Sequence, residues 1–331
     1  MLLHCATEWT AVSTCSRCVE NVDGYADRCA SPSSDPPASS PPSDPLASSP
    51  PAGWTTIAAG STVGGSVTTG GQIRFVFRKV SGRPYRVLLI PGGDAPGTGD
   101  LDLYTGSAST LSVSSSECRP FLGGISPEVC SFTATDNGWH FVLVHAPAGG
   151  TYTVSVFEQG IPAPSAATFD PAVNPTSGAG WYDAQPFMTN RHLGADLNRT
   201  GGATADLGSV VFAMADGVVG YAADAGSGWN GVVILRHQAA SGASFALPDG
   251  STASTVWSLY GHINARFVSS WLAPGDVVRR GQPVGVVGPT PTGSTGPHLH
   301  LEIRTMDLGP GAGYDDSPSD RVNPLTFIAQ N

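Results

Sequence analysis

From Trp54 onward the chain alternates apolar and polar residues in short runs. "QIRFVFRKV", "YRVLLIPG", "DLDLYTG", "HFVLVHA" and "TYTVSVFE" lie between Trp54 and about Gly160, each bounded by Gly, Pro, Asn or Asp. Period-two alternation broken by turn formers predicts β-strands, and this succession predicts an antiparallel β-sandwich. A second stretch begins at Trp181 with "GSVVFAMADGVVGYAAD", "GVVILRH", "TVWSLYGHI" and "GQPVGVVG". Turn signals at short intervals, with no long amphipathic segment, predict a largely antiparallel sheet there too.

Between and before these stretches the pattern changes. Residues 31–53, "SPSSDPPASSPPSDPLASSPPAG", are almost wholly Ser, Pro, Ala and Asp, too polar and too stiff to build a core. The expected organisation is a Cys-rich segment at 1–30, a linker at 31–53 and a β-sandwich accessory domain at 54–160. A second Pro, Ala and Ser-rich linker at 161–180 leads to a β-sheet domain with a groove at 181–331. The fold class is mainly β.

Composition narrows the partners. Only 13% of the 331 residues are charged, about half the usual ~25%, and the formal charge of -10 includes no Lys/Arg cluster. Nucleic acid and anionic membrane surfaces are therefore poor partners. No apolar run approaches the ~18 residues of a membrane span, and a monomer is expected. The start "MLLHCATEWTAVSTC" lacks the basic opening of a typical signal peptide. The cysteines point the other way: Cys5, Cys15, Cys18 and Cys29 form one group, Cys118 and Cys130 another. An even set suits disulfides in an exported chain, with Cys118 and Cys130 closing a short loop. Cys15 and Cys18 also have the C-x2-C spacing of a zinc knuckle, but no second such pair completes a four-ligand set.

The histidines carry the candidate chemistry. In "PHLHLEI", residues two apart share a strand face, so His298, His300 and Glu302 project together while Leu299, Leu301 and Ile303 face the core. In "NRHLGADLN", His192 and Asp196 are separated by a bend at Gly194 that lets both side chains converge. His262 in "SLYGHINARF" forms a third station. Tyr260 falls on the same face as His262 if that strand is regular, as packing or as an oxyanion contact. Glu302 reads as a partner of the site or a structural residue, because the helical H-E-x-x-H motif is absent. His140 and His145 lie on opposite strand faces and read as structural, as does His237. Asp100 and Asp102 share a strand face, either solvated or as a calcium site. "QAASGASFALPDGSTA", before the His262 strand, is a long connection that could wall the groove.

"HLGADLN", "DGVV", "LYGHI", "GDVVRRGQPVGVVG", "GSTGPHLHLEIR" and "VNPLTFI" occur in the order found in the M23 zinc metallopeptidases, and residues 181–331 resemble that family of lysostaphin and LytM-like enzymes. The resemblance implies zinc held by His192, Asp196 and His300, with His262 and His298 as the catalytic pair. It implies an endopeptidase cutting peptidoglycan stems or cross-bridges by a metal-activated water, at the cell envelope or outside the cell. Alternatives on the same fold are a non-catalytic wall-binding or activator module, and a secreted protease of Gly-rich proteins. Upstream, "PYRVLLI", "GDLDLY" and "GWHFVLVHAPAGGTYTVSV" resemble the pre-peptidase C-terminal type of β-domain, which implies an accessory role in carbohydrate or substrate binding.

Overall fold

A computed structural model describes residues 49–331 except 94, 175–177, 203, 227, 290–295, 312 and 317. The expectations for Cys5, Cys15, Cys18 and Cys29, and for most of the 31–53 stretch, lie outside the described residues. Among those described, strands dominate and are antiparallel apart from one short parallel pairing, as the alternation predicts.

Two four-stranded sheets form the upstream half. One orders Thr55–Thr56, Gly71–Lys79, Gly138–Ala146 and Asp102–Gly106, the other Thr62–Val67, Gly150–Glu158, Pro84–Pro91 and Glu128–Thr133. Phe75, Phe77, Val87, Leu89, Val142, Val144, Val154 and Val156 fill the space between them. Cys118 and Cys130 are disulfide-bonded, closing the loop ahead of Glu128–Thr133. The run "RVLLI" is apolar at consecutive positions because both of its faces are covered. Val87 and Leu89 point into the sandwich, while Leu88 and Ile90 join Phe157 in the core of the downstream half.

That shared core is why Pro50–Asn331 clusters as one compact unit. The described residues of 161–180, read as a linker, contain no strand but bury Ala166, Phe169, Ala172 and Val173 in the shared core. Polar clamps reinforce the contact. Arg86 bonds both the Trp271 carbonyl and Asp276, Gln159 exchanges side-chain bonds with the backbone of Val277, and Gln282 donates to Val156.

The downstream half is built on one antiparallel sheet. Its order is Val277–Val278, Gly217–Asp224, Gly231–Gln238, Thr255–Ile263, Leu299–Arg304, Ala195–Arg199 and Trp181–Gln185, with Arg321–Val322 also on Leu299–Arg304. Among the described residues two short α-helices complete it, each started by an Asn side chain that accepts backbone N–H: Asn264 accepts one ahead of Ala265–Trp271, and Asn323 accepts two ahead of Pro324–Gln330. "VNPLTFI" is thus a capped helix, with proline where its missing N–H costs nothing.

The long connection before Thr255 folds as a small hairpin, Phe245–Ala246 with Thr252–Ala253. It does not wall the groove. It leaves the sheet where His237 pairs with Val256, about 20 Å along the strands from His262. Phe245 packs there on Phe169 and Phe327. His237 is buried at that end, its Nδ1 bonded to the Asp216 carbonyl and Nε2 to Ser258 Oγ. His140 is buried against Phe132 and Phe77, while His145 sits 3.4 Å from Asp102 on the opposite strand face.

Candidate metal centre

Three neighbouring strands set the geometry. Asp196 pairs with His300, and His300 pairs on its other side with Gly261, so Asp196 and His300 share one face and His262 lies one residue beyond the position that matches them. Leu299, Leu301 and Ile303 belong to the core on the other face, so the His298, His300 and Glu302 alternation follows. His192 enters from a turn in which Met188, Asn190 and Arg191 all have positive φ. Gly194 is required by contact rather than by an unusual dihedral. A Cβ there would lie 2.4 Å from the Leu301 carbonyl oxygen and 2.8 Å from His300 Cε1.

His262 departs from the regular strand. Its φ is +61°, a region in which few non-glycine residues sit. The flip turns its ring toward the site, 4.5 Å from the His298 ring between centroids. Tyr260, two residues earlier, keeps the original direction. It is fully buried, and its hydroxyl accepts the Met214 N–H at 3.0 Å, so it packs in the core and does not share a face with His262.

Hydrogen bonds fix which nitrogen of each imidazole faces the centre. His192 Nδ1 donates to the Gln185 carbonyl at 2.9 Å, and His300 Nε2 donates to Glu302 Oε1 at 3.0 Å. In neutral rings the remaining His192 Nε2 and His300 Nδ1 are acceptors. These two atoms lie 2.9 Å apart, and 3.1 and 2.9 Å from Asp196 Oδ1. Three acceptors converge on one point with no donor among them, which calls for a cation. Two imidazole nitrogens and one carboxylate oxygen suit zinc better than calcium or magnesium, which favour all-oxygen sets. Among the described residues this is the single cluster of this kind.

The electrostatics agree. Burial opposes charge on His300, but hydrogen bonds to Asp196 and Glu302 outweigh it and hold that imidazole up at about 9. Burial likewise opposes the Asp196 carboxylate, yet His192 and His300 keep it well below the usual range. The triangle therefore attracts a proton, and a metal ion would take that place. His262 is pushed down to about 3, first by burial and then by the charges of His298 and His300, so it is neutral near pH 7. Glu302 sits at about 2, because His300 and then Arg304 overcome its burial.

Residues that the sequence reading passed over support the five. Trp229 stacks on His262 at 5.8 Å and meets His300 edge-on at 5.2 Å. Its carbonyl accepts the His262 N–H at 3.0 Å and Nδ1–H at 3.2 Å. Asn198, anchored on buried Asp206, donates to the Pro297 carbonyl just before His298. Tyr314 lies 5.5 Å from His192, ring to ring. "GSGWNG" reads only as a turn, and no spacing rule would have singled out Trp229.

Residues 190–311 match the model of Peptidase family M23. The M23 segment spans all five histidine and aspartate stations. Among solved structures, the chain is similar to lysostaphin from Staphylococcus simulans at 22% identity, covering 49% of this chain and 54% of that one, with a TM-score of 0.31. It is similar to the deep-sea M23 metalloprotease pseudoalterin at 17% identity, covering 47% and 89%, with a TM-score of 0.26. The pre-peptidase C-terminal domain of the Bacillus anthracis collagenase matches at 17% identity, covering 33% of this chain and 99% of that one, with a TM-score of 0.25. The chain thus spans about half the length of the lysostaphin it matches. No match was found among curated proteins.

Proposed function

We propose that residues 181–331 form a zinc-dependent endopeptidase that cleaves peptide bonds in peptidoglycan stems or cross-bridges, acting at the cell envelope or outside the cell. His192, Asp196 and His300 are its metal ligands, and His262 and His298 its catalytic pair. The observation that carries this reading is the triangle of three acceptors with both outer N–H groups already committed. Zinc there would supply Lewis acidity toward a water and the scissile carbonyl. The chain's own residues do the rest. The Gln185 carbonyl and Glu302 hold the two ligand rings in their tautomers. His262, neutral and held through Nδ1 by the Trp229 carbonyl, keeps Nε2 for exchanging a proton. His298, held through Nδ1 by the Gly296 carbonyl, has Nε2 3.6 Å from Asp196 Oδ2. Between them the pair takes the proton from water and returns one to the leaving amine, or hydrogen-bonds the developing oxyanion.

The residues 54–160 form the accessory domain of this reading, and 161–180 its connection. A purely wall-binding module would have no use for two imidazoles packed 4.5 Å apart beside the triangle. The test is release of new amino termini from purified peptidoglycan, with zinc measured on the same samples. Wild type is expected to hold about one zinc and to release them, and His298→Ala to keep the metal and lose the activity. Equal activity in His298→Ala would remove that residue from the mechanism.

A further inference from the structure

Behind His300 a set of buried charges runs away from the centre and returns to it. Glu302 takes the His300 Nε2–H on Oε1, and on Oε2 the Nε–H groups of Arg304 at 2.6 Å and Arg321 at 2.9 Å. Glu302 and Arg304 have no solvent exposure. Such charges are costly to bury unless hydrogen bonds and opposite charges satisfy them. Arg304 gives three of its other four N–H groups to three successive carbonyls, Leu308 at 2.9 Å, Gly309 at 2.5 Å and Pro310 at 2.8 Å. The next carbonyl, Gly311, accepts the Trp229 indole N–H at 2.9 Å. Trp229 in turn accepts both N–H groups of His262 on its carbonyl.

We propose that this arc, His300–Glu302–Arg304–(308–311)–Trp229–His262, is a positioning device that sets the proton-exchanging histidine relative to the metal ligand. Arg304 and Trp229 are its positioning residues. The proposal rests on the peptidase reading given above. Each piece has a local reason to be there. His262 sits at a φ of +61°, which its own strand does not favour, so the flip must be held from outside. Trp229 supplies the hold, and Gly261 leaves room for it, since a Cβ there would lie 2.9 Å from the indole ring. Trp229 is itself on a turn, and its indole bond to Gly311 ties that turn to the segment clamped by Arg304. Asn230, beside it, donates to the Pro289 carbonyl at 2.8 Å and fixes the turn from the other side. A guanidinium fork suits the Arg304 position because it meets a carboxylate and three carbonyls at once, which an ammonium cannot.

The test uses the full-length, zinc-loaded chain as wild type, Trp229→Phe, Arg304→Lys and the double variant. Trp229→Phe keeps a stacked ring and deletes one N–H. The first readout is the imidazole tautomer of His262, from long-range nitrogen–proton spectra of histidine-labelled protein. The second is kcat and KM on a peptidoglycan-derived peptide. Wild-type His262 is expected as a single Nδ1–H tautomer. Both single variants should give mixed tautomers at His262, although Arg304 does not touch it. Each should lower kcat by about 10-fold or more with KM little changed, and the double variant should lose no more than the worse single, because both break the same arc. A His262 spectrum unmoved by Arg304→Lys, or effects that multiply in the double variant, would overturn the proposal. Should Arg304→Lys fail to fold, Trp229→Phe decides alone: an unchanged His262 tautomer refutes the arc. Zinc-loaded wild type that hydrolyses nothing refutes the peptidase reading, while the His262 spectra still decide the arc.

Discussion

Gly194→Ala is ordinarily among the mildest of substitutions, yet here it should be severe. The new Cβ would sit 2.4 Å from the Leu301 carbonyl oxygen and 2.8 Å from His300 Cε1, where ordinary contact begins near 3.4 Å. Neither neighbour can yield cheaply. Leu301 is fixed by the ladder to Ala195, and the His300 ring by Asp196 and Glu302. The strand Ala195–Arg199 must therefore move off Leu299–Arg304 by about 1 Å, which would stretch the 2.9 Å approach of Asp196 Oδ1 to His300 Nδ1 toward 4 Å. Overpacking of this kind costs about 1–3 kcal/mol, and displaced ligands typically lose about 10–100-fold in metal affinity. Zinc titration against a competing chelator reads the second effect, and thermal melting the first. Gly220→Ala in the same sheet is the control, since its Cβ would meet only the Ile234 carbonyl at an ordinary 3.7 Å. Wild-type zinc affinity and melting temperature in Gly194→Ala would refute the contact argument.

Other consequences are measurable in the same way. Burial holds His140 down at about 3 and His237 at about 4, so the unfolded chain, with imidazoles near 6.5, binds more protons below that pH. Their contribution is full above about pH 6.5, is lost progressively as pH falls below it, and is gone once pH has passed about 4 for His237 and about 3 for His140, on the order of several kcal/mol together. His140 has no hydrogen-bond partner at either ring nitrogen among the described residues and stacks on Phe132, so His140→Phe should flatten part of this dependence in denaturant titrations at pH 7 and 5. An unchanged slope would contradict it. Reducing the Cys118–Cys130 disulfide, whose cysteines lie 12 residues apart, should cost about 3 kcal/mol in the same titrations. Phe157→Ala should cost about 3–5 kcal/mol and shift a single unfolding transition, because its side chain belongs to the core shared by sandwich and sheet. Two separated transitions in the wild type would show that the halves do not unfold together.

Much of this was legible in the chain because strands write their faces with a period of two. The "HLHLEI" alternation places leucines in the core and His298, His300 and Glu302 opposite, and the sandwich strands follow their patterns as well. Positions set by departures from regularity were not legible. Tyr260 and His262 part company because of one positive φ, which no spacing encodes. Residues 161–180 look like a linker by composition, yet Phe169 and its neighbours complete a core that exists only once both halves are present. The sequence leaves open whether the hairpin at 245–253 walls the groove, because sequence order does not say where the end of a strand lies relative to the site. Trp229 and Asn198 reach the site through bonds to distant backbone carbonyls, which have no local signature, and Arg304 reaches it only through the Glu302 carboxylate.

The most direct test of the central claim is the release of amino termini from purified peptidoglycan by full-length protein carrying one zinc per chain, measured beside His300→Ala. The wild type is expected to release them in proportion to its zinc content, and His300→Ala to hold little zinc and release none. A wild-type protein fully loaded with zinc that leaves peptidoglycan and its isolated peptides uncut would contradict the claim.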